Sequence, residues 1–485
     1  MALWNNLSYK QKYIVREFGA GINGYGDPVS LKPNELVDSA NMCCEEYPSI
    51  VTRPDRVIST LPETTTPIYG IGARNSSELH VLAGPYWLYS TAPSTGVGWN
   101  TVSSSMAGSA DATFVEFITQ VGRYTICAHS TGVVYNSIWD GATYSTYTDT
   151  NSPRSNLYTS HKYRVYGVAN DGRTLRYTKQ ASPIDWTTAD DAGYVDLTNI
   201  NGKPTAITTY SNHVIVWSQH TMHELYGTNQ DNYELIDISN EVGCVSNRAF
   251  VECSGILFWL DYGGIYMYTG GIPRLIGIKA KKYIDGINWD VKNLICSGAK
   301  NSKIFFNIPY GSTANNRVIV MDIKDTSKIM IYTELADFYN YQVISENLFA
   351  LGTTTRRIFE IETTRRTGYD DSTAATTIIP WYLETKPLCG EEMNTESAIR
   401  DIFIEHSGST LGKMTLSYST NTHSTSFTSL STSFQTTGVG IYRHCVRPSL
   451  SQLQSLQYCR FKISGEGRKT INGMQANTIS YGNVV

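Results

Sequence analysis

No stretch of about eighteen consecutive apolar residues occurs in the 485-residue chain, so no membrane-spanning helix is expected. An excess of basic charge is missing too. With 39 Lys and Arg against 43 Asp and Glu the net charge is -4, whereas proteins that wrap nucleic acid by neutralising its phosphates carry a basic surface. A passage through which DNA slides stays compatible with that balance. The opening residues, "MALWNNLSYKQKYIVREFG", contain neither an apolar core nor a small-residue cleavage site and predict no secretory leader. Cysteines do not pair as metal ligands do: Cys43 and Cys44 are adjacent, and the other seven of the nine are scattered from Cys127 to Cys459. An odd, dispersed set reads as buried free thiols in a chain folded in reducing surroundings.

Catalytic signatures are equally scarce. HExxH, GxSxG, a phosphate loop, a CxxC pair and the sialidase box SxDxGxTW do not occur. The expectation is therefore a protein that is not an enzyme, with no catalytic residue, no cofactor and no metal. His220 and His223, in "QHTMHEL", come nearest to a ligand pair, but residues three apart fall on opposite faces of a strand and read as solvated turn histidines. Asp370-Asp371 and Glu391-Glu392 read as solvated loop charge for the same reason.

What the chain does contain is tyrosine, glycine and threonine in a pattern of short runs and turns, which favours strands. Its length exceeds one ordinary core, so either two domains or one large repetitive body with an appendage is expected. Repetition is visible. Seven hairpins follow one another: "ELHVLAGPYWLYS", "GRYTICAHSTGVVYN", "KYRVYGVANDGRTLRYT", "HVIVWSQHTMHELYG", "GILFWLDYGGIYMYTG", "KIFFNIPYGSTANNRVIVMDI" and "NLFALGTTTRRIFEIE". Each is an apolar run, a polar or Gly turn, and a second run closed by a large residue. The closing residues Tyr89, Tyr135, Tyr177, Tyr226, Tyr268, Met321 and Phe359 lie about 45 residues apart on average, enough for a four-stranded blade. Asp171-Gly172 and Gly263-Gly264 suit tight hairpin turns. The spacing predicts a β-propeller of about seven blades over residues 65–365, the aromatic ends plugging between blades; a sandwich or barrel with similar hairpins is the alternative.

Residues 365–377, "RRTGYDDSTAATT", read as a linker. Beyond them the alternation becomes strict: Met414, Leu416 and Tyr418 point one way and Thr415, Ser417 and Ser419 the other, a pattern repeated at Cys459, Phe461 and Ile463. Residues 378–485 are thus expected to form an antiparallel β-sandwich. Residues 1–64 are rich in Gly and Pro and read as an extended segment lying on the propeller or on a neighbour, with a short helix over 34–42.

Three stretches carry a family resemblance. In succession, "REFGAGINGYGDPVSLKPNELVDSANMCCEEYPSIVTRPD", "SNHVIVWSQHTMHELYG" and "EVGCVSNRAFVECSGILFWLDYGGIYMYTGGIPRLIG" resemble the tail nozzle and tail hub proteins of short-tailed bacteriophages. Asn41 and Arg53-Pro54 match the first pattern, with Asp55 in place of a Gly; Gly243, Cys244, Ser246, Gly255, Leu257, Phe258, Gly264, Ile265, Tyr266, Gly270 and Pro273 match the last. The terminal alternating strands resemble that family's terminal sandwich.

The resemblance implies a structural virion protein of the tail, assembled in the host cytoplasm. It implies a homo-oligomeric ring, a hexamer, that extends the channel for double-stranded DNA below the portal and adaptor, retains and then releases the genome, and meets needle, fibre or spike proteins. Leu36, Val37, Asn41, Met42 and Arg53 are the expected assembly contacts, because a Gly/Pro-rich segment buries little by itself. The alternative is a receptor- or glycan-binding tail protein displaying Trp87, Trp99 or Trp139.

Overall fold

The computed structural model describes residues 9–481, apart from 60, 62–65, 96–97, 107–110, 131–134, 190, 199, 334–337, 353–356, 372–375, 389–395, 409–412, 435–439, 450–451 and 454–455. The chain is all-β and propeller-like. Among the described residues, seven four-stranded antiparallel sheets succeed one another, with first strands Ile68–Arg74, Ala112–Ile118, Tyr158–His161, Pro204–Tyr210, Phe250–Cys253, Cys296–Lys300 and Phe338–Ile344. Six of the seven hairpins read from the sequence supply the second and third strands of one of these sheets, and the hairpin at 122–136 supplies only the second strand of its sheet. Only in the second sheet does the closing residue miss its strand, Tyr135 preceding Ser137–Trp139 by two positions.

First strands of consecutive sheets touch from the first sheet to the fourth and from the fifth to the seventh, and that of the seventh touches that of the first, so the series returns on itself. Between the fourth and fifth sheets the tie is polar: Tyr210 donates to the Gly255 carbonyl at 2.7 Å and Thr205 Oγ1 to the Cys244 carbonyl at 2.6 Å. Glycine permits the tightest approach. A Cβ on Gly72 in the first sheet would lie 2.1 Å from the Phe114 Cβ of the second, a position no side chain can share.

The N-terminal residues depart from expectation. Five strands, β1 (Tyr9–Val15), β2 (Leu36–Ala40), β3 (Met42–Cys43), β4 (Ile50–Thr52) and β5 (Val57–Ser59), occupy the region read as an extended overlay. β1 and β4 pair with Lys469–Tyr481, which also pairs with Glu396–Gly408, and Tyr442–Val446 continues that six-stranded sheet beyond Glu396–Gly408. β2 edges a five-stranded sheet through Pro380–Thr385, followed by Arg460–Glu466, Met414–Ser419 and Thr428–Phe434. The helix expected over 34–42 is thus a strand. Val37, Asp38 and Ser39 are weak helix formers, and pairing with Pro380–Thr385 satisfies the backbone that a helix would have satisfied locally. β5 joins Arg357–Ile361 as fourth strand of the seventh sheet. Domain limits at 64 and 378 therefore do not hold: 9–52 belongs with 380–481, and 57–59 with the sheet series.

Apolar faces of the two terminal sheets enter one core, with Ile402, Ile404 and Met474 from one and Leu383, Leu416 and Phe461 from the other. Phe18, Ile22 and Leu36 fill the same core, as do Trp259 and Ile329 of the fifth and sixth sheets. The presumed linker is partly a hairpin, Tyr369–Asp371 against Thr376–Ile378.

Aromatic closures do pack between sheets. Tyr89 lies 4.9 Å from Trp139 of the second sheet, and Tyr177 lies 4.8 Å from Tyr233 beside the fourth. Tyr268, of the fifth sheet, is buried against Tyr210 and donates at 2.8 Å to Glu224 of the fourth. Glu224 also accepts from Tyr226 at 3.0 Å. Tyr268→Ala should therefore lower stability by about 3–5 kcal/mol, and Tyr268→Phe by about 1–3 kcal/mol through the stranded carboxylate. Thermal unfolding checks the order; equal losses in the two variants would contradict the hydrogen bond's contribution.

Candidate functional site

The first and last stretches of the resemblance map to places where sheets distant in sequence are pinned. The first is a joint around Asn41. This residue, which follows β2, adopts a left-handed φ of 56°, a conformation Asn tolerates better than most side chains. Its Oδ1 accepts from Arg53 Nε at 3.2 Å and from the Thr333 backbone at 2.9 Å; its Nδ2 donates to Thr333 Oγ1 at 3.0 Å and to the Pro380 carbonyl at 2.9 Å. Four side-chain hydrogen bonds exhaust the amide's capacity. They join the end of the sixth sheet to the five-stranded terminal sheet.

Arg53, itself buried, forms the second half of the joint. Its two terminal nitrogens meet the Asp370 carboxylate at 2.9 and 2.5 Å, and Nη1 also reaches the Pro54 carbonyl at 2.9 Å. Asp370 accepts the Arg56 backbone N–H at 2.9 Å as well. Burial alone would raise the Asp370 carboxyl, but the Arg53 guanidinium and these hydrogen bonds hold it below its ordinary value. Burial pushes the neighbouring Arg56, 5.2 Å over the Phe338 ring, down to about 10. Asp370 is thus no solvated loop charge, because the chain brings it to Arg53 from 317 positions away. Glu391-Glu392 lies outside the described residues.

Asp55, where the resembled family has Gly, is fully buried. Its carboxylate accepts from the Thr367 backbone at 2.8 Å, Thr367 Oγ1 at 2.6 Å and the Gly368 backbone at 3.0 Å. The departure from the family pattern supplies a cap for the strand that carries Asp370.

The expected assembly contacts are therefore spent inside the chain. Leu36 and Met42 are buried in the shared core, Asn41 and Arg53 in the joint, and Val37 alone is partly exposed. Sequence spacing offered no sign that Asn41 meets Thr333 and Pro380, 292 and 339 residues downstream, or that Arg53 meets Asp370, 317 downstream.

The second pinned place lies beside the first strands of the sheet series. Asn247, just before the fifth sheet, donates to Thr113 Oγ1 at 3.2 Å and to the Asn156 carbonyl at 3.1 Å, and accepts from the Ile207 backbone at 3.2 Å. One amide thus reaches the second, third and fourth sheets from the fifth. Beside it, partly buried Arg248 pairs with Asp111 at 3.2 Å, donates to the Asn293 carbonyl at 2.5 Å and lies 3.6 Å over the Tyr339 ring. Burial lowers its affinity for the proton, and Asp111 opposes that effect. A cavity of about 320 Å³ follows along the first strands, lined by Thr113, Glu252, Asn340 and Gln342 among others. Sequence reading passed over Asn247 and Arg248, although "SNR" between two apolar runs is the one polar triplet in that stretch.

His223 also differs from expectation. It is buried, with Nδ1 2.8 Å from Asp237 and Nε2 2.9 Å from Thr221 Oγ1, which in turn meets Ser218 Oγ at 2.7 Å. Burial lowers its pKa against the opposing pull of Asp237, so the ring is neutral near pH 7 and ties two strands together. His220 is exposed. Among the described residues no group of three or more His, Cys, Asp or Glu is arranged to hold a metal ion. Trp87 and Trp139 are buried and Trp99 partly so, which leaves no exposed platform from these three rings.

Asp370→Asn leaves Arg53 as a buried, half-paired charge and should cost about 3–5 kcal/mol, whereas Arg53→Met with Asp370→Leu should recover much of that loss. Because the Asp370 carboxyl is depressed, its contribution is complete above the unfolded-state value of about 3.9 and disappears as pH falls through the lower folded value. Urea unfolding between pH 2 and 7, on the order of one unit per step, should show that loss in the native protein and not in Asp370→Asn.

No family model matches the chain, and no curated protein matches it. Among solved structures it is similar to streptogramin B lyase, with 13% identity over 64% of this chain and 97% of that one and a TM-score of 0.44. A chain in the mitotic checkpoint complex is similar with 8% identity over 64% of this chain and 94% of that one and a TM-score of 0.40. Likenesses this distant carry nothing about activity.

Proposed function

We propose that this chain is a structural subunit of a short-tailed bacteriophage tail, a nozzle or hub protein that forms a ring and extends the DNA channel below the portal and adaptor. In this reading the seven four-stranded sheets are the blades of a seven-bladed propeller closed by β5, and the two terminal sheets form a sandwich. The observation that carries it is the coincidence of the resemblance with the pins. Asn41 and Arg53 lock the terminal sheets to the sheet series, and the stretch from Gly243 to Ser246 leads into the tie at Asn247. A rigid two-part body suits a subunit that transmits force and performs no chemistry.

The hydrogen bonds by which Asn247 ties the second, third and fourth sheets to the fifth favour a conduit between copies instead of through one chain. Contact with a neighbour then needs another surface than the one expected from sequence. The outer strand of the fifth sheet is only Arg274–Leu275, and around it Ile272 is 81% exposed, with Leu275 and Ile278 about half exposed. Tyr25, also exposed, adjoins them, since the Gly24 backbone donates to the Lys279 carbonyl at 2.8 Å. Clustered aliphatic side chains on an open sheet edge are a liability in a free protein and an asset in an assembly.

Mass photometry and class averages of the purified protein, alone and with a portal-adaptor complex, test the reading. Rings are expected, and Ile272→Asp with Leu275→Asp should dissociate them without changing the melting temperature. A chain that stays monomeric in both settings, or that binds duplex DNA tightly with a steep salt dependence, would overturn the conduit role.

A further inference from the structure

A cleft of about 730 Å³ opens where the five-stranded terminal sheet faces the end of the sixth four-stranded sheet, a volume within the range of about 300–1,000 Å³ common for small-molecule sites. Its floor is the outer face of the terminal sheet. Tyr382 stands opposite Ser464, and Ser464 opposite Thr415, so three hydroxyl-bearing side chains form one row across three neighbouring strands. Directly paired residues share a face, and all three line the cleft.

The rows on either side differ in how their polar atoms are used. On one side Lys462 meets Glu384 at 3.1 Å and lies 3.8 Å over the Tyr382 ring, so that row is satisfied internally. In the central row none of the Tyr382, Ser464 and Thr415 hydroxyls bonds to another described residue. On the far side Lys413 and Glu466 are likewise without a side-chain partner among the described residues, and their opposite charges leave the cleft neutral. The walls are held in place by the joint, because Asn41 donates both to the Pro380 carbonyl and to Thr333 Oγ1. Ile378 and Pro380 add apolar surface.

Hydroxyls donate and accept at once, and so does the ligand that matches them best. Neighbouring strands lie about 4.8 Å apart, comparable to the length of one hexopyranose in an extended β-linked chain, so each sugar would meet one hydroxyl of the row. A phosphate backbone would find Glu466 beside Lys413, and a peptide strand would find a sheet face instead of a free edge. We propose that this cleft binds a short, neutral, β-linked oligosaccharide across the Tyr382, Ser464 and Thr415 row.

The proposal concerns the single chain and does not depend on ring formation. The intact protein would be titrated with cellotetraose and chitotetraose, with maltotetraose as linkage control and a galacturonic acid tetramer as charge control, followed by calorimetry and saturation-transfer NMR. One saturable site per chain for a β-linked probe is expected. Thr415→Val with Ser464→Ala should weaken it at least about tenfold at unchanged melting temperature, and Lys413→Ala should change it less than about threefold. Should the double variant melt early, Tyr382→Phe provides the same readout. Absence of saturable binding up to low millimolar probe, binding that survives loss of the hydroxyls, or equal affinity for the acidic tetramer would each overturn the proposal. Sugar binding by a protein that forms no rings would leave the cleft standing and remove the ring reading.

Discussion

Four-stranded sheets arranged in series cannot bury their faces singly; each depends on the next, and the last depends on the first. Closing that dependence falls to β5, only three residues long, whose pairing with Arg357–Ile361 completes the seventh sheet from the opposite end of the series. So short a strand supplies few ladder bonds, and its position is set by what precedes it. Arg53, Asp55 and Arg56 lie immediately upstream, each anchored to residues of the 363–370 stretch that follows the seventh sheet. The buried ion pair of Arg53 and Asp370 thus governs register at the point where the series closes.

A buried pair of this kind is seldom a net source of stability, because removing two charges from water offsets most of their attraction. Its value lies in selectivity. An N-terminal segment misplaced by one position would leave Arg53 without Asp370 and Asn41 without Thr333 and Pro380, several unsatisfied polar groups at once. Nearby, Lys303 meets both Glu45 and Glu362, and Arg366 meets Glu45, so the same segment is fastened at a second point of partly screened charge. Correct closure is favoured largely by the cost of every alternative.

The hairpins were legible in the sequence because they are local: two runs and a turn within about twenty residues declare their own pairing. The inter-sheet packing of Tyr89, Tyr177 and Tyr268 was legible for a related reason, since large residues recur at one place in the unit. Long-range matters were hidden. Nothing near Leu36 announces Pro380–Thr385, and nothing near Asp370 announces Arg53, so a strand looked like a helix and a buried carboxylate like loop charge. His223 shows the same limit in miniature, its partner Asp237 standing on the adjacent strand of the fourth sheet.

Pairing between β1 and Met474–Ser480 has a consequence for biosynthesis. At about 5–20 residues per second, the ribosome delivers the partner of Tyr9–Val15 only after a delay on the order of tens of seconds. During that interval β1 and β2 lack their strand partners and are open to pairing with other nascent chains. Lys12, exposed on β1, puts a charge on such an edge and discourages that pairing. The sheet series, β5 included, has time to fold meanwhile, so it offers the two terminal sheets a finished surface on which to assemble.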